Sequence, residues 1–278
     1  MKLPQFYIDD IIRRGLSEDI NYIDVTSDYL IDEEKVSAAR FVSKDSGVLA
    51  GIEIAMRVFT LLDDTVSFEL LKKDGDRVQK GDIILTMQGH TAALLKGERT
   101  ALNLVQHMSG IATATARCVE LVKGTNASIT DTRKTLPGLR ALQKYAVVTG
   151  GGKNHRYNLS DAAMLKDNHI DAYGSLTNAV NALREKVGHM VRIEVEVRTL
   201  EELREALAVG ADVIMLDNMD CPTMAEAVKI TAGRARLEAS GNVTLENIAE
   251  VAATGVDIIS LGALTHSVKC FDISMRID

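Results

Sequence analysis

The chain has 278 residues, 46% of them hydrophobic and 26% charged, a globular composition long enough to build a large core without cross-links. A formal charge of −7 argues against nucleic acid as a partner, and the longest uncharged run, 100–116, is too short and too polar to span a bilayer. Cys118, Cys221 and Cys270 are odd in number and far apart, so neither a disulfide framework nor a zinc cluster is expected, and the amino terminus lacks a signal peptide's apolar core; the expected setting is cytoplasmic.

In chain order, 5–16 reads as a short amphipathic helix, 36–49 as extended chain and 51–62 as a helix with Ile52, Ala55, Met56 and Phe59 at helical spacing. Residues 65–89 read as short strands joined at Asp74-Gly75-Asp76 and Lys80-Gly81-Asp82, resembling half of a lipoyl-type β-sandwich. No lysine stands at a hairpin tip to carry a cofactor, so the pattern is architecture. A long helix follows over 91–107, and Ser109-Gly110 marks the change to a new pattern.

From there short apolar runs alternate with helical periods. Strands are expected at 128–131, 163–166, 192–196, 213–216, 236–240 and 258–261, with helices at 200–209, 223–232 and 245–253 closed by Gly210, Gly233 and Gly255. The fold class is therefore α/β: β-α units around a parallel sheet or barrel, with six strands visible, two short of a full eight-stranded barrel. The expected boundaries are 1–108 and 109–269, with the tail at about 270–278 packing back on the first domain.

The strands finish at Asp131, Lys166, Glu196, Asp217, Ser240-Gly241 and Gly262, and in barrels the reactive groups stand at the carboxyl ends of strands. The segment 131–169 carries seven basic against three acidic residues, a cationic island of +4 suited to a small anionic ligand. Arg133, Lys134, His155, Arg156 and Lys166 form its expected anion-binding floor, whereas Arg140 and Lys144 sit at helical spacing and read as solvated or ion-paired. The triple glycine at 150–152 lets the backbone approach a ligand or turn sharply. It lacks the earlier glycine of an ATP-binding loop. Glu196 and Asp217 offer hard oxygens for Mg²⁺, directly or through water, although Asp217-Asn218 also suits a helix cap; Glu194 shares a strand face with Glu196. Ser240-Gly241-Asn242 and Leu261-Gly262-Ala263 read either as phosphate-binding loops or as plain strand-to-helix turns.

Several stretches together resemble the quinolinate phosphoribosyltransferase family across almost the whole chain. They are ERTALN at 98–103, SGIAT at 109–113, DTRKTLPGLR at 131–140, KYAVVTGGGKNHR at 144–156, LKDNHI at 165–170, IEVEV at 193–197, MLDNM at 215–219 and TGVDIISLGALTHS at 254–267. The resemblance implies an enzyme of NAD biosynthesis that converts quinolinate and phosphoribosyl pyrophosphate to nicotinate mononucleotide, pyrophosphate and carbon dioxide. It also implies an incomplete, open α/β barrel with an amino-terminal α+β sandwich domain, and a homodimer with shared active sites, alone or assembled further. Arg99, contributed by the partner, would join Arg133, His155, Arg156 and Lys166 on quinolinate. Lys134, Glu196, Asp217, Ser240, Gly241, Asn242, Gly262 and Ala263 would hold phosphoribosyl pyrophosphate and Mg²⁺, with Lys134, Lys166, Glu196 and Asp217 as the catalytic set. Asn158 and Asn242 stand where the family pattern suggests glycine. A related family linked with molybdenum uptake shares DTRKT and the glycine triplet, and Lys166-Asp167-Asn168-His169 favours the quinolinate enzyme. A Schiff-base aldolase using Lys166, or a non-catalytic binding protein, are the readings from other classes.

Overall fold

A computed structural model describes residues 3–278. The chain runs through α1 (Gln5–Ile20), α2 (Ser27–Leu30), β1 (Val36–Ser43), β2 (Gly47–Val48), α3 (Ile52–Leu62), β3 (Ser67–Leu70), β4 (Arg77–Val78), β5 (Ile83–His90) and α4 (Thr91–Leu121). It continues with β6 (Ser128–Thr130), α5 (Arg140–Thr149), β7 (Ala163–Leu165), α6 (Asp167–Tyr173), α7 (Leu176–Lys186), β8 (Ile193–Val197) and α8 (Leu200–Ala208). The remaining elements are β9 (Val213–Asp217), α9 (Cys221–Thr231), β10 (Arg236–Ser240), α10 (Ile248–Ala253), β11 (Ile258–Ser260), α11 (Ala263–His266) and β12 (Ile273–Ile277). Among the described residues no helix is long and apolar enough to cross a membrane.

Two compact units emerge. The first takes in the described residues up to Ala116 together with Thr135–Gly151 and Ala263–Asp278. Its four-stranded antiparallel sheet has the order β12-β1-β5-β3, so the tail forms an edge strand, with Phe41 of β1 facing Met275 in the register. A second antiparallel pair joins β2 to β4. Alternation along β1 buries Ala39 and Phe41 and leaves Val36 in solvent, as expected for a sheet with one wet face. Phe41 meets Phe59 of α3 edge to face with ring centroids 6.1 Å apart, which ties the sheet to that helix.

Helix α4 corrects one expectation. Ser109-Gly110 does not end it, and the helix continues to Leu121. The reason is packing rather than turn chemistry. Ser109 Oγ accepts from the Ala50 N–H at 3.0 Å and donates to the Ala50 carbonyl at 3.2 Å. A Cβ on Gly110 would collide with the Lys269 carbonyl, so only glycine lets these backbones approach. Lys144 on α5 is likewise fully buried rather than solvated. The triple glycine makes a turn at the end of α5, with Gly151 at φ +91°.

The second unit comprises Arg117–Lys134 and Gly152–Gly262. Its six parallel strands have the order β6-β11-β10-β9-β8-β7. Period-2 geometry gives this sheet two different faces. One carries Ile129, Leu165, Ile193, Val195, Val197, Ile214, Leu216, Leu237, Ala239 and Ile259, all buried. Each fully buried branched side chain of this kind contributes roughly 1.5–3 kcal/mol. The helices start at good caps: Ser175, Thr199 and Asp220 accept from the backbone N–H groups of Asn178, Glu202 and Thr223. The opposite face carries the alternate residues of the same strands, and it is polar.

Candidate active site

The polar face follows from register alone. β8, β9 and β10 pair so that Glu196 lies beside Met215, Glu238 beside Met215, and Ser240 beside Asp217. A cavity of about 620 Å³ opens over this face. Its walls include Arg133, Lys134, His155, Arg156 and Lys166 from the expected cationic floor, and Glu196, Asp217, Ser240, Gly241 and Asn242 from the strand ends. Ten expected residues, dispersed over 110 positions of sequence, thus share one space. Gly262 and Ala263 do not line it. Ser260 does, because Leu261 turns to the buried side and Ala263 already opens α11. Arg99, exposed on α4, lines a separate cavity of the first unit with Arg14, Asp19 and Gly138.

Cations and carboxylates are interlocked across the cavity. Lys166 Nζ donates to Glu196 Oε2 at 2.9 Å. The Lys166 backbone N–H is held by His169 Nδ1 at 3.0 Å, so the LKDNH run positions this lysine at the mouth of α6. Arg156 donates to the Ala162 carbonyl at 2.8 Å, and burial together with the neighbouring Arg133 charge pulls its pKa down. Asp217 accepts from Asn218 Nδ2 at 2.9 Å, and Asn218 Oδ1 accepts from Asn242 Nδ2 at 3.0 Å. Asn218 and Asn242 both adopt the left-handed region, at φ +54° and +52°. Asparagine tolerates this conformation better than most residues, which accounts for Asn242 at a position where glycine was anticipated.

The part least expected lies at the floor. Glu194 and Glu238 are 6% and 1% exposed, and their carboxylates stand 3.1 Å and 3.4 Å from His155 Nε2. Burial opposes a charge on the imidazole, but hydrogen bonding to Glu194 and Glu238 outweighs it and raises the His155 pKa to about 10. Burial also pushes the Glu194 carboxyl up, against the opposing pull of His155. The His155 backbone N–H donates to Asp131 Oδ1 at 2.9 Å, and the Arg156 N–H points at Nδ1 from 2.8 Å. Glu238 was missed in the sequence, although the alternation Arg236, Glu238, Ser240 on one face of β10 carried the signal.

Chemically the cavity pairs an excess of hydrogen-bond donors with two hard carboxylates on adjacent strands. The donors suit a polyanionic ligand; Glu196 and Asp217 offer carboxylate oxygens for a divalent cation, and His155, Glu194 and Glu238 form a second group close enough together to hold one.

The family model described as quinolinate phosphoribosyl transferase, N-terminal domain, matches residues 24–109, and the corresponding C-terminal domain matches 111–276. A probable nicotinate-nucleotide pyrophosphorylase [carboxylating] of Bacillus subtilis is 50% identical over 260 residues, covering 94% of this chain and 90% of its own. The nicotinate-nucleotide pyrophosphorylase [carboxylating] of Mycobacterium leprae is 46% identical, with 96% of each chain covered. Among solved structures, NadC from Streptococcus pyogenes superposes with a TM-score of 0.97 at 43% identity, covering 100% of this chain and 99% of its own. The nicotinate-nucleotide pyrophosphorylase from Francisella tularensis gives 0.96 at 37% identity, covering 100% and 98%. With both domain models matched in tandem and close relatives matched nearly end to end, this chain belongs to the quinolinate phosphoribosyltransferase family.

Proposed function

We propose that the protein transfers the phosphoribosyl group of phosphoribosyl pyrophosphate to the ring nitrogen of quinolinate, giving nicotinate mononucleotide, pyrophosphate and carbon dioxide, a step of NAD biosynthesis. The observation that carries this reading is a single cavity in which Arg133, Lys134, His155, Arg156 and Lys166 face Glu196 and Asp217, within a chain of this family. A pyridine dicarboxylate and a pyrophosphorylated sugar bring several negative charges together, and clustered cations in a confined space offset them.

Arg133, His155, Arg156 and Lys166 are assigned to the two quinolinate carboxylates. Lys134, Ser240, Gly241 and Asn242 are assigned to the phosphates, and Gly262 and Ala263 support the same ligand only through the loop that follows Ser260. As pyrophosphate departs, positive charge grows at the anomeric carbon and the ring nitrogen attacks it. The resulting pyridinium then stabilises the carbanion left on the ring carbon when the adjacent carboxylate departs as carbon dioxide, and a proton from solvent takes the carboxylate's place there. No side chain acts as a covalent nucleophile, and the Lys166 ammonium, held on Glu196, acts electrostatically. This separates the proposal from a Schiff-base aldolase.

Glu196 and Asp217 fit Mg²⁺ in chemistry, since Mg²⁺ takes one or two carboxylates together with water and substrate phosphates. When bound, the ion would neutralise charge developing on the leaving pyrophosphate. Asn218 and Asn242 hold the Asp217 carboxylate in a fixed orientation for that purpose. A homodimer is proposed on the strength of Arg99, which lies outside the lining of the catalytic cavity and is assigned to the site of a second copy. Exposed Phe6, Tyr22, Tyr29 and Leu30 on the first unit support such an association. A cytoplasmic setting is supported by three free cysteines.

Purified protein with Mg²⁺, phosphoribosyl pyrophosphate and quinolinate is expected to release nicotinate mononucleotide and carbon dioxide in equal amounts. Turnover of nicotinate in place of quinolinate would reject the decarboxylating assignment. Mixing Arg99→Ala with Lys166→Ala protein is expected to restore activity, and verified mixed dimers that stay inactive rule out a shared site.

A further inference from the structure

Two carboxylates buried on the inner face of a parallel sheet are a poor device for stability. Desolvating them costs more than a well-packed apolar pair would, and Glu194 Oε1 and Glu238 Oε1 find no hydrogen-bond partner in the protein. Thr130 Oγ1 and Ser260 Oγ, from β6 and β11, are buried and unpartnered as well. An unpaired buried polar atom costs roughly 1–3 kcal/mol. What the two glutamates do touch is one atom, His155 Nε2. The ring they hold lines the cavity, and its Nδ1 lies 2.8 Å from the Arg156 N–H.

We propose that Glu238 and Glu194 are positioning residues for quinolinate recognition: they grip the Nε2 edge of His155, supply its countercharge, and make its Nδ1 edge, beside the Arg156 N–H, a donor pair for a substrate carboxylate. The inference rests on the quinolinate reading above. The Arg156 N–H and the Nδ1 edge lie 2.8 Å apart and face the same space, and with a substrate carboxylate in place both donate to it. This is the logic by which a carboxylate orients an imidazole in acid–base triads and metal sites, applied here to holding a ligand rather than moving a proton. The charged and titratable groups around the ring include Glu194 on β8, Glu238 on β10, Asp131 after β6, Arg156 next to it in the chain, and Arg133 close to Arg156. Asp131 accepts the His155 backbone N–H, and Glu194 and Glu238 meet the Nε2 edge of the ring.

The test is steady-state kinetics of the full-length enzyme with Glu238→Gln and Glu238→Asp, together with NMR of ¹⁵N-histidine-labelled protein. Glu238→Gln should raise the KM for quinolinate about tenfold, with kcat and the KM for phosphoribosyl pyrophosphate within about twofold, and Glu238→Asp should recover part of the loss. In wild type saturated with quinolinate at pH 8.5, the His155 ring, assigned by the signal lost in His155→Asn, should carry both N–H protons. Wild type that fails to turn over quinolinate breaks the functional reading. Wild type that does so, with an unchanged quinolinate KM in Glu238→Gln, breaks this proposal alone. If Glu238→Gln does not fold, the wild-type spectrum decides: a neutral His155 ring with quinolinate bound overturns the proposal, and a doubly protonated ring supports it. Stoichiometric zinc in the purified protein, bridging the same three side chains, also overturns it.

Discussion

The two sheets treat their interiors in opposite ways. The antiparallel sheet of the first unit fills its covered face with Ala39, Phe41, Leu85, Met87, Ile273 and Met275. The parallel sheet is equally apolar toward its helices, yet its other face buries Glu194 and Glu238 and aligns Glu196, Asp217, Ser240 and Ser260 at a cavity. Burial is favourable in the first case and costly in the second. The contrast teaches that the second unit keeps costly polarity where its cavity opens, the place the proposed function calls for it, while the first sheet is maintained by packing.

Substitutions can break that contrast. The largest effect is expected from Phe41→Ala, which removes an aromatic side chain with no exposed surface and should lower unfolding free energy by about 3–5 kcal/mol in urea titrations. The quinolinate KM of the folded fraction should not move; a change would mean that the first sheet shapes the site. Arg156→Ala should do the reverse, weakening quinolinate binding about 100-fold, or roughly 2.7 kcal/mol by calorimetry, with little change in melting temperature.

A sharper version removes the floor triad altogether. His155→Leu, Glu194→Met and Glu238→Leu in combination should leave the fold as stable as wild type or stabilise it by about 1–2 kcal/mol, while abolishing quinolinate binding. A strongly destabilised triple variant would assign the triad to the fold instead.

The pH dependence has a definite sign. The His155 pKa rises on folding from 6.5 to about 10, so the charged ring adds stability that is complete below pH 6.5 and is lost as the pH climbs through about 10. Quinolinate affinity should therefore hold through neutral pH and fall in that alkaline range, and in Glu238→Gln the fall should begin at lower pH. The smallest effect is expected from Asn242→Gly. It relieves a left-handed φ by less than about 1 kcal/mol but removes the hydrogen bond to Asn218, so a slight gain in stability should accompany a higher KM for phosphoribosyl pyrophosphate.

Much of this was legible in the chain itself. All six parallel strands stood out because each centres on apolar residues between helical periods, and observed ends differ from the expected ones by a residue or so. The cationic floor and the carboxylates were legible because strand ends in such a fold converge on one mouth. Ser109-Gly110 misled because the same dipeptide serves a turn or a close backbone crossing, and only the approach of Lys269 decides between them. Lys144 stood open between solvent and an ion pair because helical spacing names a face without saying what covers it, and its burial excludes the first.

Local sequence thus determined which elements form and which residues are able to carry charge, since periodicity, capping and turn chemistry act over a few neighbouring positions. Tertiary structure alone decided that Glu194 and Glu238, 44 positions apart, close on one imidazole nitrogen, and that Ser260 rather than Gly262 reaches the cavity. Those outcomes depend on strand register and on which face of the sheet is covered, quantities fixed only when distant segments pack.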